Sequence, residues 1–418
     1  MNTPPPALPD APLVPIDDTP PADPRAGARR VLVTSARLPF ALDTIRKLGE
    51  AGHVVFAADS EGSAPGLGSK HVEQPLVVPP PYGEPLAFVE RVVEIVRSQG
   101  IDLVLPAFEE AFLLARHRGD LPPGVELFTG DFEALVRLHD KSKLVELARA
   151  LDIPIAPSRI VRSDAELQAA LGEFDPYFAR PAFGRGGVEL LTNHGALAGA
   201  LDPARCHPTE AVPWIVQGYV EGTDVCTFSM AHHGRLVLHS TYEHPKTIAD
   251  AGGIVFESVD CEETLGIVRR VVEALGYHGH ISFDFLRGDD GIYLVECNPR
   301  PTNGVAMWPT DEYAAALADV DGTTLRRLPA GRRAKIGLAL LRDMVLNPKH
   351  IVEDLKLLFD GSTDLYARLS DPMPLLYTLL SYRLVSRLKE VKQGEDVGRS
   401  PLVAAQFVDI AWNGEPLP

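Results

Sequence analysis

Residues 280–303 read HISFDFLRGDDGIYLVECNPRPTN. Two runs rich in β-branched and aromatic residues, 280–286 and 292–297, flank the polar stretch 287–291, which is the pattern of a β-hairpin. Alternate side chains of a strand share a face. Ser282, Asp284 and Leu286 therefore fall on one side of the first strand, and Ile292, Leu294, Glu296 and Asn298 form one set on the second. With Leu286 opposite Ile292, Asp284 faces Leu294 and Glu296 becomes its diagonal neighbour, about 7–8 Å away. Two carboxylates so close are costly without a cation between them. Asp284, Glu296 and Asn298 offer oxygen ligands only, which suit a hard ion such as Mg²⁺, an ion that keeps waters and binds substrate phosphates. The competing reading is a surface hairpin with solvated acids. Cys297 has the opposite parity from Glu296 and is expected in the core.

Upstream, four features bear on a phosphorylated ligand. Lys141 stands in HDKSK. Arg180 ends an expected strand, 177–181, and immediately precedes the loop FGRGGV, 183–188, with Gly184, Gly186 and Gly187. Glycines let backbone N–H groups approach a polyphosphate, and a cation on either side of such a loop strengthens that reading. The fourth feature is QGYVEGTD, 217–224. A strand edge can meet an adenine ring, with Gln217 near the exocyclic amine and Asp224, past the turn, near ribose hydroxyls.

The remainder of the chain supplies the frame. Residues 1–27 hold nine prolines and few large apolar groups, so a disordered tail is expected. From 28 to 130 strands and helices alternate: strand 31–34, helix 41–50, strand 53–58, helix 86–98, strand 101–106, helix 109–116, strand 125–129. That alternation predicts a Rossmann-like parallel sheet with helices on both faces. The first strand–helix turn, SARLPF, lacks the GxGxxG fingerprint, and GSAPGLGSK at 62–70 lacks the GK[ST] ending of a Walker loop. This domain is thus expected to hold part of a second substrate at its strand ends, with Glu109 and Glu110 as candidates. Asp131 is expected to cap a helix running through LHDKSKLVELARALDIPIAPS. From 131 to 325 the elements no longer alternate, which implies α+β architecture. From 326 to 418 helices are expected at 336–346, 350–359 and 373–391, the last capped by Asp371 and Pro372, with Leu376, Leu380, Leu384 and Leu388 on one stripe.

Composition excludes several classes. The chain has 418 residues and a formal net charge of −17, which argues against a nucleic-acid partner. Four cysteines without metal-ligand spacing suit a reducing compartment. No apolar run approaches the ~20 residues of a membrane span, and the start lacks the pattern of a secretory signal. A cytoplasmic protein is expected. The oligomeric state stays open.

Taken in order, these motifs resemble the ATP-grasp superfamily of ligases over roughly residues 30–310, with the carbamoyl-phosphate synthetase and D-alanine–D-alanine ligase branches as models. The resemblance implies a Rossmann-like pre-ATP-grasp domain, a two-lobed ATP-grasp domain and a helical C-terminal region. It implies ATP and Mg²⁺ as cofactors, two ions per site, with Mn²⁺ as substitute. Lys141 and Arg180 would hold the phosphates, and the loop with Gly184, Gly186 and Gly187 would be the flap. Gln217, Tyr219, Val220 and Asp224 would hold adenosine; the family has glutamate where Gln217 and Asp224 stand. Asp284, Glu296 and Asn298 would be metal ligands, and Arg300 would meet the transferred phosphate. Lys246, in YEHPKTIADAGG (242–253), is a candidate for contact with the acceptor carboxylate or the acyl phosphate, together with His244. The implied activity joins a small-molecule carboxylate to an amine or other nucleophile. A phosphotransferase and a non-catalytic nucleotide-binding protein are the rivals.

Overall fold

Val31, Leu32 and Val33 are wholly buried, as a strand covered on both faces requires. In the computed structural model, which describes residues 27–184, 189–248, 252–381, 407 and 409–418, they lie in β1 (Arg30–Val33). The chain continues through α1 (Pro39–Glu50), β2 (Val54–Asp59), β3 (Val72–Val77), α2 (Pro85–Ser98), β4 (Leu103–Leu105), α3 (Glu110–Arg116) and β5 (Glu126–Leu127). All five strands are parallel, in the order β3-β2-β1-β4-β5, the order of doubly wound folds. Val31 and Val33 pack with Ala41, Ile45 and Leu48 of α1, while Leu32 packs with Phe88, Val92 and Val96 of α2. Strand β3 was not expected. Its sequence, VEQPLV, carries a proline and two polar residues, which an edge strand tolerates and a central one does not.

Two helices replace the single one expected after Asp131: α4 (Phe132–His139) and α5 (Lys141–Ala150). Asp131 makes no side-chain cap. Asp140 does, its carboxylate accepting from the backbone N–H groups of Ser142 and Lys143 at 2.8 and 3.3 Å. The extended backbone of Asp140 breaks the helix and sets Lys141 at the start of a new one. There follow β6 (Ser158–Val161), α6 (Asp164–Leu171), β7 (Tyr177–Pro181), β8 (Leu191–Thr192) and β9 (Trp214–Gly218), a four-stranded sheet in the order β6-β9-β7-β8.

The largest sheet is built from β10 (Thr223–His232), β11 (Arg235–Ile248), β12 (Gly252–Val259), β13 (Gly279–Gly288) and β14 (Gly291–Asn298). Helix α7 (Glu262–Leu275), closed by Gly276 in the left-handed region, buries Leu265, Val268, Val271 and Val272 beside Ile281, Phe283 and Phe285 of β13. After α8 (Thr310–Ala318) come β15 (Arg326–Arg327), β16 (Arg333–Lys335), α9 (Gly337–Leu346), α10 (Ile351–Leu358) and β17 (Thr363–Asp364). The sheet order is β14-β13-β10-β11-β12-β16-β17, with β15 beside β11.

Helix 373–381 is the described part of the third expected C-terminal helix; Leu384 and Leu388 lie outside the described residues. Leu376 and Leu380 are half exposed, not core. Asp371 does not cap. Its carboxylate accepts from Arg46 Nε at 2.9 Å, Ser69 Oγ at 2.8 Å and Lys70 N at 2.9 Å. The chain's last residues also return to the first sheet. Phe407 stacks on Phe108 with centroids 5.0 Å apart, and Asp409 pairs with Arg37 at 2.7 Å. Among the described residues no helix is long and apolar enough to cross a membrane.

Candidate active site

The hairpin β13–β14 forms with a register different from the simple alternating one. Gly288 pairs with Gly291, Leu286 with Tyr293 and Phe285 with Leu294; the ladder then slips, and Asp284 lies directly opposite Glu296, with Ser282 opposite Asn298. Val295 is the extra residue of a β-bulge, which two-fold alternation cannot reveal. The bulge turns Ile292 and Leu294 into the core beside Phe285 and keeps Glu296 and Asn298 on the Asp284 face. Cys297 is buried in the core as expected.

Across the cleft the cations converge on the same carboxylate. Lys141 Nζ lies 3.4 Å and Arg180 Nη1 3.5 Å from Glu296 Oε2. Arg180 Nη2 donates to the bulged carbonyl of Val295 at 2.7 Å, and Lys141 Nζ donates to Gly184 O at 2.8 Å. Burial alone would raise the Glu296 carboxyl, but Lys141 and Arg180 outweigh it and hold it below the usual range. Asp284 moves the other way: burial and the Glu296 charge raise it. Burial and the neighbouring Asp284 also keep the Cys226 thiol protonated, well above its ordinary value. Cys226 lies opposite Asp284 on β10; the sequence carried no signal for it, since its partner strand is remote along the chain.

Asp284, Glu296 and Asn298 fit a divalent cation. The donors are oxygens on one face of one hairpin, and the raised Asp284 carboxyl marks negative charge that a cation would relieve. Asn298 Nδ2 donates to Asp284 Oδ2 at 3.2 Å, and its Oδ1 accepts from Arg300 Nη2 at 2.8 Å. Arg300 lies with its guanidinium carbon 4.3 Å from the Phe108 ring centroid and 5.7 Å from that of Phe40. It thus bridges the metal-ligand face and the first sheet by cation–π contact.

Beside these charges is a narrow pocket lined by Leu144, Val145, Ile155, Ile215 and Leu294, with Lys141, Arg180 and Gln217 at its polar edge. Gln217 is buried, and its Nε2 donates to Ser158 Oγ at 2.9 Å. Tyr219 and Val220 follow the strand end; the Tyr219 N–H is committed to Pro176 O at 2.9 Å. Asp224 is exposed on β10, two residues from Cys226 on the same face. Gly184 is described, whereas Gly186 and Gly187 lie outside the described residues. The preceding Phe183 meets Trp412 at 5.4 Å, and Trp412 packs on Phe112 at 4.7 Å.

Lys246 is not part of this constellation. Its Nζ lies 2.8 Å from Asp354, 3.2 Å from Asp343 and 3.4 Å from Glu353, on α9 and α10. Three carboxylates neutralise the amine and hold it, which corrects the expectation of a catalytic contact. His244 is partly buried with its ring edge-on to Tyr242 and Phe256. Glu110 ties loops of the first sheet, accepting from Thr34 Oγ1 and Ser35 Oγ at 2.5 Å each and from the N–H groups of Ala107 and Phe108. Glu109 accepts from the Trp412 N–H at 2.7 Å.

Two lobes meeting over a paired-carboxylate hairpin, with cations from the opposite lobe, define an ATP-grasp domain. Residues 138–304 match the family model of the ATP-grasp domain, so that part of the chain carries one. The carbamoyl phosphate synthase arginine-specific large chain of Geobacillus stearothermophilus is 24% identical over 237 residues, which is 54% of this chain and 22% of that relative's length. The chain therefore spans about a fifth of that relative. Among solved structures, N5-carboxyaminoimidazole synthetase from Staphylococcus aureus complexed with ADP superposes with a TM-score of 0.58 at 12% identity, covering 78% of this chain and 87% of that one. A biotin carboxylase–nucleotide complex from Campylobacter jejuni gives 0.55 at 16% identity, covering 71% and 72%. At these identities the likeness is one of fold.

Proposed function

We propose that the chain is an ATP- and Mg²⁺-dependent ligase that activates a carboxylate as an acyl phosphate for attack by an amine or other nucleophile, releasing ADP and phosphate. The observation that carries the proposal is the convergence of Lys141 and Arg180 on Glu296, with Asp284 directly opposite. Relatives named as synthases and synthetases support the ligase class.

Phosphoryl transfer is catalysed mainly by positioning and by charge stabilisation. Lys141 and Arg180 would release Glu296 and take up phosphate oxygens, leaving Asp284, Glu296 and Asn298 as ligands for Mg²⁺. When bound, Mg²⁺ supplies charge neutralisation between the β- and γ-phosphates. Arg300, held over Phe108, would face the transferred phosphoryl group. The apolar pocket around Leu144, Ile215 and Leu294 would take adenine, with the Gln217 amide oxygen as acceptor for its amine and Asp224 beside ribose. Tyr219 and Val220 would contribute carbonyl and amide groups at the base edge. Gly184, with Gly186 and Gly187, would close over the phosphates and exclude water from the acyl phosphate.

The test is a screen of carboxylic acids against amines with ATP and Mg²⁺, reading ADP and phosphate. A ligase gives phosphate only when acid and nucleophile are both present. A phosphorylated product without free phosphate identifies a phosphotransferase, and ATP binding without turnover on any pair sinks the reading.

A further inference from the structure

Away from the nucleotide cleft, Glu126 of β5, His232 at the end of β10 and His278 just before β13 come together. One carboxylate oxygen and one ring nitrogen from each histidine lie within 4.8 Å of one another. His232 is fully buried and His278 is 7% exposed. His232 Nε2 donates to Ala316 O at 3.1 Å, so its Nδ1 carries the lone pair. That Nδ1 is buried without a hydrogen-bond partner. Orphaned buried polar atoms are rare and call for a missing partner. His278 Nε2 sits 3.3 Å from Glu126 Oε1, and Arg29 holds the other Glu126 oxygen at 2.7 Å. Phe128 packs against both rings, and His233 stacks on His278 with centroids 4.3 Å apart.

We propose that Glu126, His232 and His278 bind one Zn²⁺ ion. Two imidazoles and a carboxylate are a zinc donor set, and three protein ligands leave a fourth position for water. Zinc bonds of about 2.0–2.1 Å put neighbouring tetrahedral donors roughly 3.3 Å apart. His278 Nε2 and Glu126 Oε1 already have that spacing, and the His232 ring nitrogen lies within 4.8 Å of both. The surroundings match as well. A histidine ligand characteristically donates its other ring N–H to a carbonyl, as His232 does to Ala316, and a ligand carboxylate is itself anchored, as Glu126 is by Arg29. The other cluster, two carboxylates and one histidine from Asp343, His350 and Asp354, already has Lys246 as its cation. The ion would pin β5 of the parallel sheet to β10 and β13 of the largest sheet, joining two units at a point remote in sequence.

The test is metal content of untagged protein purified without chelator and dialysed against metal-free buffer. About one zinc per chain is expected, retained in Glu296→Gln and lost in Glu126→Gln and His232→Ala. Zinc retained in His232→Ala overturns the proposal. Should those variants fail to fold, the wild-type chain decides. Stripped of metal and kept in excess Mg²⁺ to occupy the hairpin, it should take up Co²⁺ with the visible bands of a four-coordinate ion, displaced by Zn²⁺, and its Tm should rise when zinc is restored. No cobalt spectrum and no zinc-dependent shift in Tm refute the site.

Discussion

Glu296 serves two sets of partners at once, cations across the cleft and Asp284 on its own sheet, so its charge is what the site depends on. Glu296→Gln is expected to fold normally and to lose Mg²⁺-dependent ATP turnover by about 10²–10³ in kcat, the size of one preorganised charge; steady-state ADP release together with a melting curve checks this. Lys246 gives the opposite expectation. Its amine neutralises Asp343 and Asp354, which are buried, so Lys246→Met should destabilise the fold by about 3–5 kcal/mol while leaving kcat per folded molecule unchanged. Urea unfolding and active-site-normalised kinetics separate the two effects. The contrast also shows what sequence could deliver at this scale. That Glu296 and Asn298 share a strand face was legible from parity, but what brings that face to Asp284 is the bulge at Val295, which parity does not show. Lys246 was misread because nothing local announces carboxylates a hundred residues downstream.

At the scale of elements, the break between α4 and α5 aims Lys141. Asp140 caps α5 through two backbone N–H groups, while Asp131 caps nothing. Asp140→Ala should therefore cost about 1 kcal/mol and raise the KM for ATP, whereas Asp131→Ala should do neither; thermal melts and ATP kinetics on both variants test the pair. Equal effects would refute the capping assignment. The hairpin teaches a related lesson. Its two strands were evident from composition, but the register was set by the bulge at Val295, whose signal is a carbonyl presented to Arg180. Alternation carries no information about an extra residue, and the partner that holds it comes from another sheet. Strand β3 escaped notice for the complementary reason: edge strands need little apolar pattern.

For the whole molecule, buried histidines make stability depend on acid. Burial pushes both His239 and His280 down to about 3, against about 6.5 in the unfolded chain. Folded-state values below the unfolded ones mean that the unfolded chain binds the extra protons, so their contribution is complete above pH 6.5 and declines as pH falls toward 3. Below the unfolded value each contributes a slope of up to about 1.4 kcal/mol per pH unit. Denaturant unfolding between pH 7 and 5 should show the decline, and His239→Gln should flatten it. The alternation of strands and helices from 28 to 130 was legible, whereas the strand order, which includes the unexpected β3, was not. Nor was the return of Phe407 and Asp409 to that sheet, since a short stretch without strong periodicity gives no hint of where it docks. That return has a consequence in time. Arg37 and its partner Asp409 are 372 residues apart, and at about 5–20 residues per second a ribosome needs roughly 20 to 75 s between them. For most of that interval, once β5 is made, the first sheet is synthesised while the partners of Phe108 and Arg37 are not, so a nascent chain carries an uncovered aromatic edge until translation reaches them.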